Sequence, residues 1–142
     1  MIVRDIMTTN VITISPDATL KEVGAILKEK RISGIPVVDG GGRLIGIVTL
    51  TDMLRVLNNI YTWHSLQMRP AGKDLSVWEA EERLQSKVKD IMTKEVFTIT
   101  EHETIEQLLR IVFNKKIHTI PVTAEGKLIG IVGIRDLVYA SF

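Results

Sequence analysis

Apolar residues along this chain change their spacing several times, and the same succession of spacings comes twice. Leu20, Val23, Gly24 and Leu27 recur at helical intervals, and Ile105, Leu108, Leu109 and Val112 repeat that face. Pro16 and Asp17 suit the start of the first of these helices. The runs "GIPVV" and "LIGIVTL" are short, β-branched and separated by "DGGGR", which predicts two adjacent buried strands joined by a turn. Shorter β-prone runs surround Val11 and Thr13, and again Val96 and Thr98. A further helix begins near Leu50 and its counterpart near Ile134. The predicted order is therefore β-α-β-β-α, twice, each copy preceded by a short helical leader.

The repetition is textual as well as periodic. "VRDIMTTNVITI" from Val3 returns as "VKDIMTKEVFTI" from Val88, and "KRISGIPVV" returns as "KKIHTIPVT", both 85 residues on. The spacing falls to 84 after "DGGGR", because "AEGK" in the second copy is one residue shorter. A length change there marks a tolerant turn, so Gly40, Gly41 and Gly42 read as turn glycines and not as a phosphate loop. The division expected is residues 1–60 for the first repeat, 61–84 for a helical connector and 85–142 for the second repeat. A unit of about 55 residues is marginal alone, so the copies should share an interface. The connector carries both tryptophans, Trp63 and Trp78, expected to anchor it to the repeats or to face a second subunit. Ser76, with Glu79 three positions on, suits a helix start within it.

Composition narrows the chemistry. At 142 residues, 45% hydrophobic and 25% charged, the chain can build a compact core, and a formal charge of +1 argues against a broad nucleic-acid or anionic-membrane surface. There is no cysteine, which excludes disulfides, thiolate nucleophiles and cysteine zinc sites. The start "MIVRDIMTTN" lacks a secretory pattern, and no run reaches the roughly 20 apolar residues of a membrane span, so a soluble cytoplasmic protein is expected. His64, His102 and His118 are far apart and form no metal-binding pair, and Glu79, Glu81 and Glu82 read as a solvated helix face. No nucleophile, base and orienting group are assembled, so catalysis and a metal site are not expected. Asp52 and Asp136 differ from these groups because each follows a repeated "LIGIV" at a strand-to-helix junction. Thr49 and Asp52 have capping-box spacing, while a carboxylate beside exposed N–H groups is also suited to a sugar phosphate.

"DIMT", an apolar residue before "PVV" or "PVT", and "GIVTLTD" or "GIVGIRD", in that order and twice over, resemble the cystathionine-β-synthase-type (CBS) domain. The resemblance covers about three quarters of the chain, all but the connector. It implies an α+β fold in which two pseudo-twofold-related β-α-β-β-α repeats pack as a Bateman module. It also implies a non-catalytic regulator that binds AMP, ADP or ATP, in preference to NAD or S-adenosylmethionine, in clefts between the repeats. The nucleotide would be a regulatory ligand and not a required cofactor. A homodimer is implied, with a separate effector protein reading the signal. The alternative is a structural or dimerisation module whose clefts stay unoccupied.

Carried onto this sequence, the resemblance places Asp52 on ribose, Thr49 near ribose or phosphate, and Ser33, Gly34, Ile35 and Pro36 along the nucleotide of a first cleft. Thr13 and Ile14 would meet the base. In a second cleft Asp136 would hold ribose, Thr98 and Ile99 would meet the base, and Ile120 and Pro121 would form an apolar wall beside Thr119. His118 and Arg135 would face phosphate. Gly133, standing where the first copy has Thr49, removes one hydroxyl and implies unequal clefts, the second more dependent on phosphate charge.

Overall fold

The computed structural model describes residues 1–66 and 85–142, with side chains omitted at 62–66. The expectations for Trp63, Trp78, His64, Ser76, Glu79, Glu81 and Glu82 fall outside the described residues or side chains. Helix α1 (Val3–Ile6) and α2 (Leu20–Lys30) precede strands β1 (Gly34–Val38) and β2 (Leu44–Thr49) and helix α3 (Leu50–Leu66). The second copy runs α4 (Val88–Ile91), α5 (Ile105–Lys115), β3 (Thr119–Ala124), β4 (Lys127–Gly133) and α6 (Ile134–Ser141). Each copy is thus helix, antiparallel strand pair, helix, behind a one-turn leader.

Local chemistry sets these boundaries. Thr19 caps α2 by accepting the Glu22 N–H at 3.2 Å, and Glu22 returns the bond by accepting from the Thr19 N–H at 2.8 Å. Helices α2 and α5 both end on a left-handed residue, Arg31 at φ 52° and Lys116 at φ 54°. In the first hairpin the Asp39 side chain accepts the N–H groups of Gly41 and Arg43, and Gly42 takes φ 80°. The second hairpin turns on Glu125 and Gly126, both at positive φ, a two-residue connection that matches strand twist.

The β-prone runs near Val11 and Val96 shrink to single parallel bridges, Ile14 to Val37 and Ile99 to Val122. Proline is the cause. Ile14 donates to the Pro36 carbonyl and accepts from Val38, both at 3.1 Å, but the next bond of this ladder would need a Pro36 N–H. Pro121 stops the second copy in the same way, and the chain before Ile14 is left without a partner on β1.

The leaders are exchanged. Val88 packs, fully buried, with Val23, Leu27, Ile35, Val37 and Val48 of the first copy. Val3 packs with Leu108, Ile120, Val122 and Val132 of the second. Backbone bonds follow the same crossing, Val88 N–H to the Ala18 carbonyl at 2.8 Å and Val3 N–H to the Glu103 carbonyl at 3.0 Å. Beyond each leader, Thr8 pairs in both directions with Ile131, and Thr93 with Ile47. The hairpin tips meet as well, Leu44 donating to Gly126 and Leu128 to Gly42. The shared interface expected of two marginal repeats is therefore a mutual completion of their cores. No described helix is long and apolar enough to cross a membrane.

Candidate functional site

The turns that end α2 and α5 lead directly into β1 and β3, and there the copies meet. The Ser33 carbonyl accepts the Leu50 N–H at 2.9 Å, and the His118 carbonyl accepts the Ile134 N–H at 3.1 Å, so each turn is tied to the first residue of a following helix. Ser33 Oγ and Thr119 Oγ1 lie 3.4 Å apart between the two turns. Beside this junction opens a cleft of about 600 Å³. It is lined by Thr8 and residues 10–12, by the turn from Arg31 to Gly34, and by His118, Thr119, Ile131 and the helix start from Gly133 to Asp136.

The cleft combines an apolar floor with a few polar groups, as small-molecule sites do. Ile12, Ile32, Leu50 and Ile134 provide the apolar surface, and Arg31, His118 and Arg135 bring cationic or titratable heads to the rim. Asp136 is half-buried and accepts the Gly133 N–H through Oδ2 at 2.8 Å. Its Oδ1 has no hydrogen-bond donor among the described residues. Asn10, Val11 and Ile12 line the cleft just before Ile14, the residue bonded to the Pro36 carbonyl.

Asp52, the counterpart of Asp136, is only 3% exposed and fully engaged. Its Oδ2 accepts the Thr49 N–H at 2.8 Å and the Thr49 hydroxyl at 3.0 Å. Its Oδ1 accepts Arg55 Nη1 at 3.0 Å and the Thr93 hydroxyl, from the exchanged leader, at 2.9 Å.

Of the residues singled out from sequence, Ser33, Gly34, His118, Thr119, Gly133, Arg135 and Asp136 line one cleft. The first two had been expected in a different cleft from the rest; the pseudo-twofold junction brings both turns to the same opening. Ile14, Ile35, Ile99 and Ile120 instead point into the two cores, because the bridges and the strand alternation turn these positions inward. Pro36 and Pro121 are buried, and the exposed Thr13 and Thr98 do not line this cleft. Thr49 and Asp52 satisfy each other. The part of the run around Val11 that lines the cleft is residues 10–12, just before the Thr13 and Ile14 expected from sequence. Arg31 also went unnoticed, its charge indistinguishable from the rest of "KEKR" until the left-handed turn places it on the rim. No cluster of three or more metal-ligating side chains occurs among the described residues.

Comparison with known proteins gives this arrangement a context. The CBS domain profile matches residues 3–59 and 88–142. Inosine-5'-monophosphate dehydrogenase of Methanocaldococcus jannaschii is 31% identical over 134 residues, which is 94% of this chain and 22% of that enzyme. The chain thus spans under a quarter of that relative's length. The crystal structure of CBSX2 in complex with AMP superposes with a TM-score of 0.77 at 24% identity, covering 99% of this chain and 95% of that one. The CBS domain pair of protein MJ0100, in complex with 5'-methylthioadenosine and S-adenosyl-L-methionine, superposes at 0.76 and 24% identity over the full length of both chains. At this identity the superpositions establish a shared fold, and the ligands are those of the proteins named.

Proposed function

The chain belongs to the CBS domain family as a tandem pair of repeats, and on that premise we propose that it is a non-catalytic regulatory module whose inter-repeat cleft binds an adenosine-containing ligand. The observation that carries this reading is Asp136, a half-buried carboxylate with one oxygen uncommitted among the described residues, at a helix start in a cleft also lined by Arg31, His118 and Arg135. The carboxylate suits the hydroxyls of ribose, and the rim supplies charge-assisted donors for phosphate. Carbonyl and N–H groups at residues 10–12 suit the edge of a base. A volume of about 600 Å³ accommodates one nucleotide-sized ligand. These features favour AMP, ADP or ATP over NAD and S-adenosylmethionine.

Signalling follows from what the ligand would touch. The cleft is walled by both repeats and by the segment after an exchanged leader, so a ligand that prefers one relative arrangement of these parts shifts the population toward it. A separate effector protein would read that shift. Thermal unfolding with AMP, ADP, ATP, NAD and S-adenosylmethionine tests the reading. Ligand at about 100 times its dissociation constant adds roughly 2.7 kcal/mol, an upward midpoint shift of about 10 °C at this chain length. If none of the five moves the midpoint at millimolar concentration, the module is structural and its cleft unoccupied.

The partner surface proposed is helical. Beyond the cleft, Leu54, Leu57 and Tyr61 form an exposed stripe along α3, and Val138 is exposed on α6. Leu54 is 65% exposed and Val138 50%, at equivalent positions of the two copies. A homodimer through these helices would cover them. Light scattering on the double substitution Leu54→Glu and Val138→Glu is expected to report monomer where the parent chain reports dimer; a monomeric parent removes this part of the proposal.

A further inference from the structure

Met7 and Met92 close the two one-turn leaders as their C-caps, and the sulfur of each is seated against a glycine of the other copy. A Cβ at Gly46 would stand 2.6 Å from Met92 Sδ and one at Gly130 would stand 2.8 Å from Met7 Sδ, so each thioether fills the space a side chain would need. Met92 packs against the first core and Met7 against the second, both partly buried. The nearby N–H groups are committed. Met7 donates to the Val3 carbonyl and Thr8 to that of Ile131, and Met92 donates to Val88 and Thr93 to Ile47, at 2.8 to 2.9 Å. The backbone atom nearest each Cβ position is itself an acceptor, the Thr93 carbonyl oxygen at 3.0 Å and that of Thr8 at 3.1 Å.

We propose that Met7 and Met92 are oxidation sites, at which a two-electron oxygen donor of the hydroperoxide class turns the thioether into a sulfoxide and loosens the leader from the core it completes. With hydrogen peroxide, the sulfur lone pair attacks one oxygen as the O–O bond breaks. Proton transfer between the two oxygens then leaves sulfoxide and water, sulfur being oxidised and the peroxide reduced. The chain has no cysteine, so no thiol of its own intercepts the oxidant. A sulfoxide is polar where the thioether was apolar, and its acceptor oxygen, set among carbonyls and committed N–H groups, gains no partner to offset lost hydration. Turning the side chain outward would spare that oxygen but withdraw the sulfur from its glycine and its core. Either route weakens the seating of Val3 or Val88, both fully buried. The effect reaches the cleft and the aspartate. Thr8, next to Met7, and its partner Ile131 both line the cleft, and Thr93, next to Met92, donates its hydroxyl to Asp52 at 2.9 Å. Met53 is a contrast, its terminal methyl lying 4.0 Å from a Cβ position at Gly24, an ordinary contact.

The test treats the intact chain with hydrogen peroxide, follows each methionine by peptide mass spectrometry and measures the thermal midpoint, with no nucleotide present. The midpoint is expected to fall by about 8 °C, in step with sulfoxide at Met7 and Met92 and not with sulfoxide at Met1, which is 63% exposed. Methionine sulfoxide reductases acting on both epimers should restore it. The double substitution Met7→Leu and Met92→Leu, a volume-conserving change, should hold the midpoint within about 2 °C under the same treatment. Should that variant fold poorly, Met7→Gln and Met92→Gln each place a polar chain of similar length against the glycine. Each is expected to lower the midpoint of the untreated chain by about 4 °C, with Met1→Gln leaving it unchanged. Sulfoxide at Met7 and Met92 without a fall in midpoint, a fall that the leucine pair does not prevent, or resistance of both residues to peroxide in the folded chain would overturn the proposal. The adenosine reading of the cleft stands or falls separately, since no nucleotide enters the experiment.

Discussion

Gly130→Val is expected to lower the unfolding free energy by about 3 kcal/mol, the upper part of the range for overpacking a filled site, and Gly46→Val by a similar amount. A Cβ at Gly130 would stand 2.8 Å from Met7 Sδ and 3.1 Å from the Thr8 carbonyl; at Gly46 it would stand 2.6 Å from Met92 Sδ and 3.0 Å from the Thr93 carbonyl. The methionine can move aside. The carbonyl cannot move far, because Thr8 and Ile131 exchange two backbone bonds of 2.8 and 2.9 Å, as do Thr93 and Ile47. Valine adds two methyl groups beyond that Cβ, so the leader segment must lift or β4 must bend. Lifting it also weakens the seating of Val3, which is fully buried in the second core. Urea unfolding measures the change, and a thermal midpoint about 12 °C lower should accompany it. A loss under about 0.5 kcal/mol, the level of ordinary surface substitutions, would mean that the leader does not confine these positions.

Asp52→Ala is the second large effect, again about 3 kcal/mol, whereas Asp136→Ala should cost about 1 kcal/mol. The difference follows from the donors each carboxylate serves. Removing Asp52 strips a partner from the Thr49 N–H, the Thr49 and Thr93 hydroxyls and Arg55 together. Hydrogen bonds to charged groups contribute roughly 1.5 to 3 kcal/mol each, but Arg55 is 69% exposed and recovers water, so its share is small. Among the described residues Asp136 serves a single N–H. A double-mutant cycle between Asp52→Ala and Thr93→Val isolates the bond from the exchanged leader, with a coupling of about 1 kcal/mol expected. Zero coupling would mean that the Thr93 bond to Asp52 does not hold the leader in solution.

How much of this was readable in the chain depends on the distance over which each feature is decided. The hairpins were legible because Asp39, Gly42, Glu125 and Gly126 act within a few residues of themselves. The helices were legible from period, and the pair of repeats from plain text. The meaning of the central glycine in "LIGIV" was not, since the atoms that forbid a side chain there belong to "DIMT" of the other copy. The candidate site was half legible. Asp136, His118, Arg135 and Gly133 stand out against their counterparts, while Arg31 and residues 10–12 acquire a role only where two turns and a proline-limited strand converge. Ile14, Ile35, Ile99 and Ile120 looked like cleft residues because motif position does not record which way a strand side chain points.

By itself the sequence determined the repeat, the helices and the hairpin in each copy and the family to which they belong, because capping, turn chemistry and apolar period act locally. Only the tertiary structure decided which leader completes which core and which aspartate remains open. The two copies carry nearly the same valines, methionines and glycines, so either leader matches either core on pattern alone. In the folded chain Val88 seats in the first core and Val3 in the second. Asp52 and Asp136 then part company because Asp52 draws donors from its own helix start and from the exchanged leader, whereas the donor to Asp136 among the described residues comes from its own helix start.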